Sequence, residues 1–104
     1  MIDAIINRLN GKKILIAGFG REGKSTLRFL QKYLPDAMIA IADKNESGFQ
    51  DIDKERYELF SGDDYLNAAA DYDVIIKTPG ISVDNIEIDC SKITSQTDLF
   101  LEAY

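Results

Sequence analysis

Residues 18–25 read GFGREGKS and satisfy two phosphate-binding patterns at once. Gly18, Gly20 and Gly23 fit G-x-G-x-x-G, the glycine fingerprint of a dinucleotide-type βαβ unit. Gly18, Gly23, Lys24 and Ser25 fit G-x-x-x-x-G-K-[ST], the loop of nucleoside triphosphatases. The second pattern needs Lys24 to reach terminal phosphates, Ser25 to hold magnesium and a remote acid to complete the metal site. It leaves Gly20 unexplained, and such domains usually need more than 104 residues. The first pattern uses every glycine. Gly18 permits a tight turn, Gly20 lets backbone approach phosphate, and Gly23 lets a helix pack closely on a strand. The N-terminus of the following helix then offers unpaired amides and the positive end of its dipole to an anion. Asp43, about twenty residues further on, stands where an acid commonly meets a ribose or base.

These residues need a scaffold, and the hydrophobic pattern predicts one. IDAIINRL (2–9) has helical spacing, closed by Asn10-Gly11 with Gly11 suited to a left-handed cap. KILIAG (13–18), AMIAIAD (37–43) and DVIIK (73–77) read as strands buried on both faces. Residues 21–34 place Leu27, Phe29, Leu30, Tyr33 and Leu34 at helical spacing before Pro35-Asp36. Residues 44–56 read as a loop with one helical turn, and YELF (57–60) as a short strand. DDYLNAAADY (63–72) reads as a helix favoured at its start by Asp63 and Asp64. ISVDNIEIDCSK (81–92) reads as a short helix or loop, and KITS (92–95) as a last short strand. TDLFLEAY (97–104) reads as a helix opened by Thr97-Asp98. Alternating strands and helices predict an α/β fold, a Rossmann-like doubly wound parallel sheet of about five strands with helices on both faces. Ligands of such sheets bind at the carboxyl ends of the strands where the order reverses. Three turns meet that rule: GFGREGKS, DKN (43–45) and TPG (78–80).

Length and composition bound the rest. The chain suits one domain, 1–104, with an apolar share of 45% that allows a real core. Its charge is −6 and its basic residues are scattered, which disfavours a nucleic-acid partner. No apolar run is long enough to cross a bilayer and no signal peptide is evident. There is no histidine and one cysteine, so a metal site is not expected, and the lone Cys90 suits a reducing cytoplasm.

The order GFGREGKS, IAIADKN, YDVIIKTPGIS, ITSQTDLFLEA resembles the N-terminal domain of the Mur ligases. Within them it is most similar to the ligases that add D-glutamate to UDP-N-acetylmuramoyl-L-alanine in peptidoglycan synthesis. The most specific stretch is DVIIKTPGI (73–81), and the resemblance runs from Lys12 to the C-terminus. It implies that this domain binds the UDP part of the nucleotide-sugar and carries no catalytic residue, cofactor or metal of its own. ATP and magnesium are implied for a central domain with a separate P-loop, and the incoming amino acid for a C-terminal domain. Neither domain is expected in residues 1–104, so the fragment alone is expected to be inactive. By position, the resemblance puts Arg21 and Glu22 against the diphosphate and Asp43 and Lys44 against the uracil and ribose. Thr78, Pro79 and Gly80 form the facing wall. The family pattern has a small hydroxyl residue where this chain carries Glu22. Two other classes stay open on the residues alone. One is a stand-alone domain for a nicotinamide or flavin nucleotide; the other is a fragment of a P-loop hydrolase.

Overall fold

The computed structural model describes residues 2–82 and 88–103. Five parallel strands form one sheet: β1 (Lys13–Ala17), β2 (Met38–Ala42), β3 (Glu58–Phe60), β4 (Val74–Lys77) and β5 (Ile93–Thr94). Their spatial order is β3-β2-β1-β4-β5, so the chain reverses direction across the sheet between β1 and β4. The register aligns Ala17 with Ala42 on one side and with Lys77 on the other. Three strands therefore end side by side at one rim. This is the expected Rossmann-like α/β architecture.

The strands are apolar throughout because both faces are buried. Ile14, Ile16, Ile39, Ile41, Val74 and Ile76 point to one face. Leu15, Ala17, Ala40, Ala42 and Ile75 point to the other. The first face carries the three α-helices: α1 (Ile2–Leu9), α2 (Arg21–Tyr33) and α3 (Gln96–Ala103). α1 buries Ile5 and Leu9, α2 buries Gly23, Thr26, Leu27 and Leu30, and Leu99 of α3 joins the same cluster. At 25 cal/mol per Å² each fully buried leucine or isoleucine contributes about 1.5–3 kcal/mol. Gly11 closes α1 with φ +75°, the left-handed cap its sequence predicts.

The second face differs from the sequence expectation in one element. Residues 63–72 do not form an α-helix; they make turns followed by a 3₁₀ segment, Asn67–Asp71. Leu66, Ala69 and Tyr72 are buried. They are three residues apart, and a 3₁₀-helix with three residues per turn brings that spacing onto one stripe. The small side chains of Ala17, Ala40 and Ala42 face this segment's cluster. The start of α3 also differs. The Ser95 hydroxyl accepts from Asp98 N at 3.1 Å, so Ser95 is the cap, two residues before the expected Thr97. Of the stretch 81–92, residues 83–87 lie outside the described residues, and Cys90–Lys92 form a 3₁₀ turn.

Among the described residues one buried side-chain atom lacks a partner, the Thr94 hydroxyl oxygen. Replacing it by an isosteric methyl removes a desolvation cost without opening a cavity. Thr94→Val is expected to leave unfolding free energy unchanged or raise it by up to about 1 kcal/mol. Urea denaturation measures this, and a clear loss of stability would mean that the hydroxyl is bonded.

Candidate functional site

At the end of β1 the chain turns on Gly18, whose φ of +97° lies in the region that side chains disfavour. A second constraint comes from the third turn. The Thr78 hydroxyl occupies the space where a Gly18 Cβ would stand, and Ile81 Cγ1 would lie 3.0 Å from it. Thr78 N donates to Ala17 O at 3.0 Å, so the TPG turn leaves β4 stitched to the end of β1. Gly23 is the third residue of α2, where a Cβ would overlap the Gly18 carbonyl. Only glycine lets the helix approach the loop this closely. Gly20 has nothing within 4 Å of its would-be Cβ. Its missing side chain is not needed for packing, and the space in front of it is open.

The loop is also tied to β2. Gly18 N donates to Ala42 O at 2.7 Å, and Phe19 N donates to the Asp43 carboxylate at 2.7 Å. The other Asp43 oxygen accepts from Asn45 N at 2.9 Å. Both oxygens thus organise this rim: one holds the glycine loop, the other folds the turn after β2. Asn45 then caps a 3₁₀ turn, Glu46–Phe49, through Ser47 N at 3.0 Å. Phe49 of that turn packs on Phe19 with ring centroids 6.0 Å apart. Asp43 N donates to Phe60 O at 3.0 Å, which joins the arrangement to β3.

The helix α2 begins at Arg21 after Gly20, and no side chain caps it. Its first intrahelical bond to the loop runs from Lys24 N to Gly20 O at 3.0 Å. The amides of Arg21, Glu22 and Gly23 precede that bond and have no intrahelical acceptor. They are donors at the positive end of a 13-residue helix, beside the open space at Gly20. Gly20 and Arg21 are exposed, and Glu22 is half-buried. The two residues specific to a triphosphatase loop are engaged elsewhere. Lys24 Nζ lies 5.8 Å from the centre of the Phe19 ring, and Ser25 Oγ is bonded to Gln96 Nε2 at 3.3 Å.

Gly18, Gly20, Arg21, Glu22, Gly23, Asp43, Thr78, Pro79 and Gly80 therefore all stand on one rim of the sheet. Lys44 is on the same rim, but its Nζ lies 3.8 Å from Asp63 in an exposed pair, which carries little energy. Sequence reasoning missed Phe19 and Asn45. Asn45 had a legible signal, a second capping side chain two residues after Asp43. The opposite, amino-terminal rim holds a separate concavity of about 640 Å³, lined by residues that include Lys13, Met38, Arg56, Glu58 and Tyr72. Burial, then the nearby carboxylates of Glu58 and Asp71, pushes the Tyr72 hydroxyl up there. Among the described residues no cluster of acids and cysteine could hold a metal ion, and no helix is long and apolar enough to cross a membrane.

Comparison with known proteins places the chain in a family. The family model of the Mur ligase MurD-like N-terminal domain matches residues 12–96. A UDP-N-acetylmuramoylalanine–D-glutamate ligase of Ligilactobacillus salivarius is 27% identical over 92 residues, 85% of this chain and 20% of that protein. The ligase of the same name from Limosilactobacillus reuteri is 32% identical over 85 residues, 77% of this chain and 18% of its own length. That of Clostridium kluyveri is 31% identical over 100 residues, 86% and 21% respectively. The chain spans about a fifth of the length of these relatives. No solved structure gives a significant match. The chain belongs to the Mur ligase family and corresponds to the N-terminal domain of its MurD-like members.

Proposed function

We propose that this domain binds the UDP part of UDP-N-acetylmuramoyl-L-alanine and presents it for ATP-dependent joining to D-glutamate. The observation that carries the reading is the meeting of three strand-end turns at the point where the sheet reverses order. One turn offers the Arg21, Glu22 and Gly23 amides to an anion, and the space before Gly20 admits a diphosphate. The TPG turn, fixed by Thr78, walls the other side. Asp43 sets the width of the crevice by holding the Phe19 amide. The names of the relatives supply the substrate and the amino acid. In this reading the domain binds and orients, and no bond is made or broken within it. ATP and magnesium then belong to another domain of a full-length ligase, and Lys24 and Ser25 contact Phe19 and Gln96 here. The protein then acts in the cytoplasm, and residues 1–104 form its single UDP-binding domain.

Calorimetric titration of the chain with UDP, NAD and magnesium-ATP tests the reading. Saturable binding of UDP with no matching response to NAD is the expected result; binding of NAD without UDP would replace it with a nicotinamide-domain reading. Glu22 gives the test a second arm. Its carboxylate stands in the first turn of α2, and two like charges about 4 Å apart in water repel each other by about 1 kcal/mol. Glu22→Thr removes that repulsion and is expected to tighten UDP binding about fivefold. Equal or weaker affinity would mean that the diphosphate lies elsewhere.

A further inference from the structure

Asn10 and Gly11 follow the last residue of α1, and both are exposed. Two backbone bonds brace the turn around them: Asn10 N donates to Ile6 O at 2.8 Å, and Lys12 N donates to Leu9 O at 3.1 Å. The Gly11 amide between them donates to no group among the described residues, and the Asn10 carboxamide is likewise unbonded there. Nothing lies within 4 Å of a would-be Gly11 Cβ, and both residues line an open concavity of about 510 Å³. A free carboxamide therefore precedes a free main-chain N–H, on a residue with no side chain to hinder their approach. The other described asparagines lack this combination. Asn7 lies inside α1 and is followed by Arg8. The Asn45 carboxamide oxygen accepts from Ser47 N at 3.0 Å, and Asn67 is followed by Ala68 in a 3₁₀ segment.

We propose that Asn10 is a site of spontaneous covalent modification, at which the Gly11 nitrogen closes a cyclic imide on the Asn10 side chain and the imide then opens to an acid. The Gly11 nitrogen loses its proton and bonds to Asn10 Cγ. The Cγ–Nδ2 bond breaks, and ammonia leaves with that proton. Water, the only co-reactant, then adds to one of the two imide carbonyls. Opening at Cγ gives aspartate; opening at the main-chain carbonyl gives isoaspartate, whose main chain runs through Cβ. Either product makes the chain one charge more negative than −6 and sets a carboxylate at the negative end of the α1 dipole. Isoaspartate also lengthens by one carbon the link from α1 to β1, which starts at Lys13. The turn stands at the amino rim with Lys13 and Met38, so the inference is independent of the UDP reading.

The experiment is incubation of the folded chain at neutral and at mildly alkaline pH, followed by anion-exchange chromatography and peptide mapping by mass spectrometry. A peptide spanning residues 7–13 and the Asn10→Gln variant are incubated in parallel. The expected result is a new species one charge more acidic, with the mass gain of amide to acid confined to Asn10. Both aspartate and isoaspartate appear, and conversion is faster at the higher pH because the attacking nitrogen must lose its proton. Asn10→Gln keeps an amide whose longer stem disfavours the ring, and the acidic species does not form. An intact Asn10 in the folded chain, after the peptide has converted, would overturn the inference, because the two bracing bonds would then hold the turn away from attack. So would conversion at Asn45 or Asn67 ahead of Asn10, or a product with aspartate alone, which excludes the imide.

Discussion

Gly23→Ala and Gly18→Ala will each lower the melting temperature of this chain by roughly 10–20 °C, whereas Gly20→Ala will lower it by no more than a few degrees. The three glycines belong to one motif, yet they do three different physical jobs. A methyl at Gly23 would press into the Gly18 carbonyl, and backbone on both sides has nowhere to move. Relief requires lifting α2 off β1, which unpacks Leu27 and Leu30 from the core. Overpacking of this kind costs about 1–3 kcal/mol and more when backbone is the obstacle. At Gly18 the φ of +97° adds conformational strain to a clash with the Thr78 side chain. A Thr78→Ser or Thr78→Ala background leaves the strain at Gly18 in place. Gly20 has an ordinary φ of −82° and open space around it, so alanine there strains nothing. It should instead weaken ligand binding, because the methyl enters the space proposed for phosphate. Thermal unfolding of the three single variants checks the ranking, and a Gly20→Ala variant as unstable as Gly23→Ala would refute it.

Asp43→Ala will cost about 2–4 kcal/mol, and Asp43→Asn about half as much. The carboxylate accepts two backbone amides, Phe19 at 2.7 Å and Asn45 at 2.9 Å. A part-buried hydrogen bond to a charged acceptor, as from Phe19 N, contributes about 1.5–3 kcal/mol, the exposed one from Asn45 N about 0.5–1 kcal/mol, and alanine removes both. Asparagine keeps one good acceptor and loses the charge assistance. The larger consequence is local. Without Asp43 the glycine loop is anchored to β2 only through Gly18 N and Ala42 O, and the Asn45–Phe49 cap loses its first turn. Amide exchange at Phe19 and Asn45 should accelerate far more than at Leu15 or Ile41 in the centre of the sheet. Urea unfolding gives the global figure. Uniform acceleration across the sheet, or no stability loss, would mean that these two bonds do not hold the rim.

The elements that were legible in the sequence share a cause. β1, β2 and β4 are apolar on both faces because helices and turns cover both, and such runs read the same way in isolation as in the sheet. α2 announces itself by Leu27, Phe29, Leu30, Tyr33 and Leu34 at helical spacing, of which Leu27, Leu30 and Leu34 are buried. The segment 63–72 was misread because Leu66, Ala69 and Tyr72 fit a helical period nearly as well as the threefold period they follow. Ten residues are also too few for helix propensity to decide against the packing of Tyr72 on Phe60, with ring centroids 6.5 Å apart. The α3 cap falls two residues before the expected one because Ser95 and Thr97 both suit the position, and only the Ser95 contact to Asp98 N separates them.

The site was legible as a set of turns and less so as chemistry. Gly18 and Gly23 have the packing roles that their spacing suggests, and TPG falls on the same rim. The spacing from Gly18 to Asp43 marks a strand-end acid, but it does not distinguish a carboxylate facing a ligand from one facing the Phe19 amide. That distinction depends on how far β2 rises beside β1, which register alone decides.

The account stands on diphosphate recognition at the carboxyl rim between β1 and β4. A ¹H–¹⁵N correlation spectrum recorded with increasing UDP tests it directly. The expected result is saturable shifts centred on Gly20, Arg21, Glu22, Gly23, Thr78 and Gly80, with Met38, Glu58 and Tyr72 at the amino rim unmoved. Shifts centred on the amino rim, or a spectrum that UDP leaves unchanged, would contradict it.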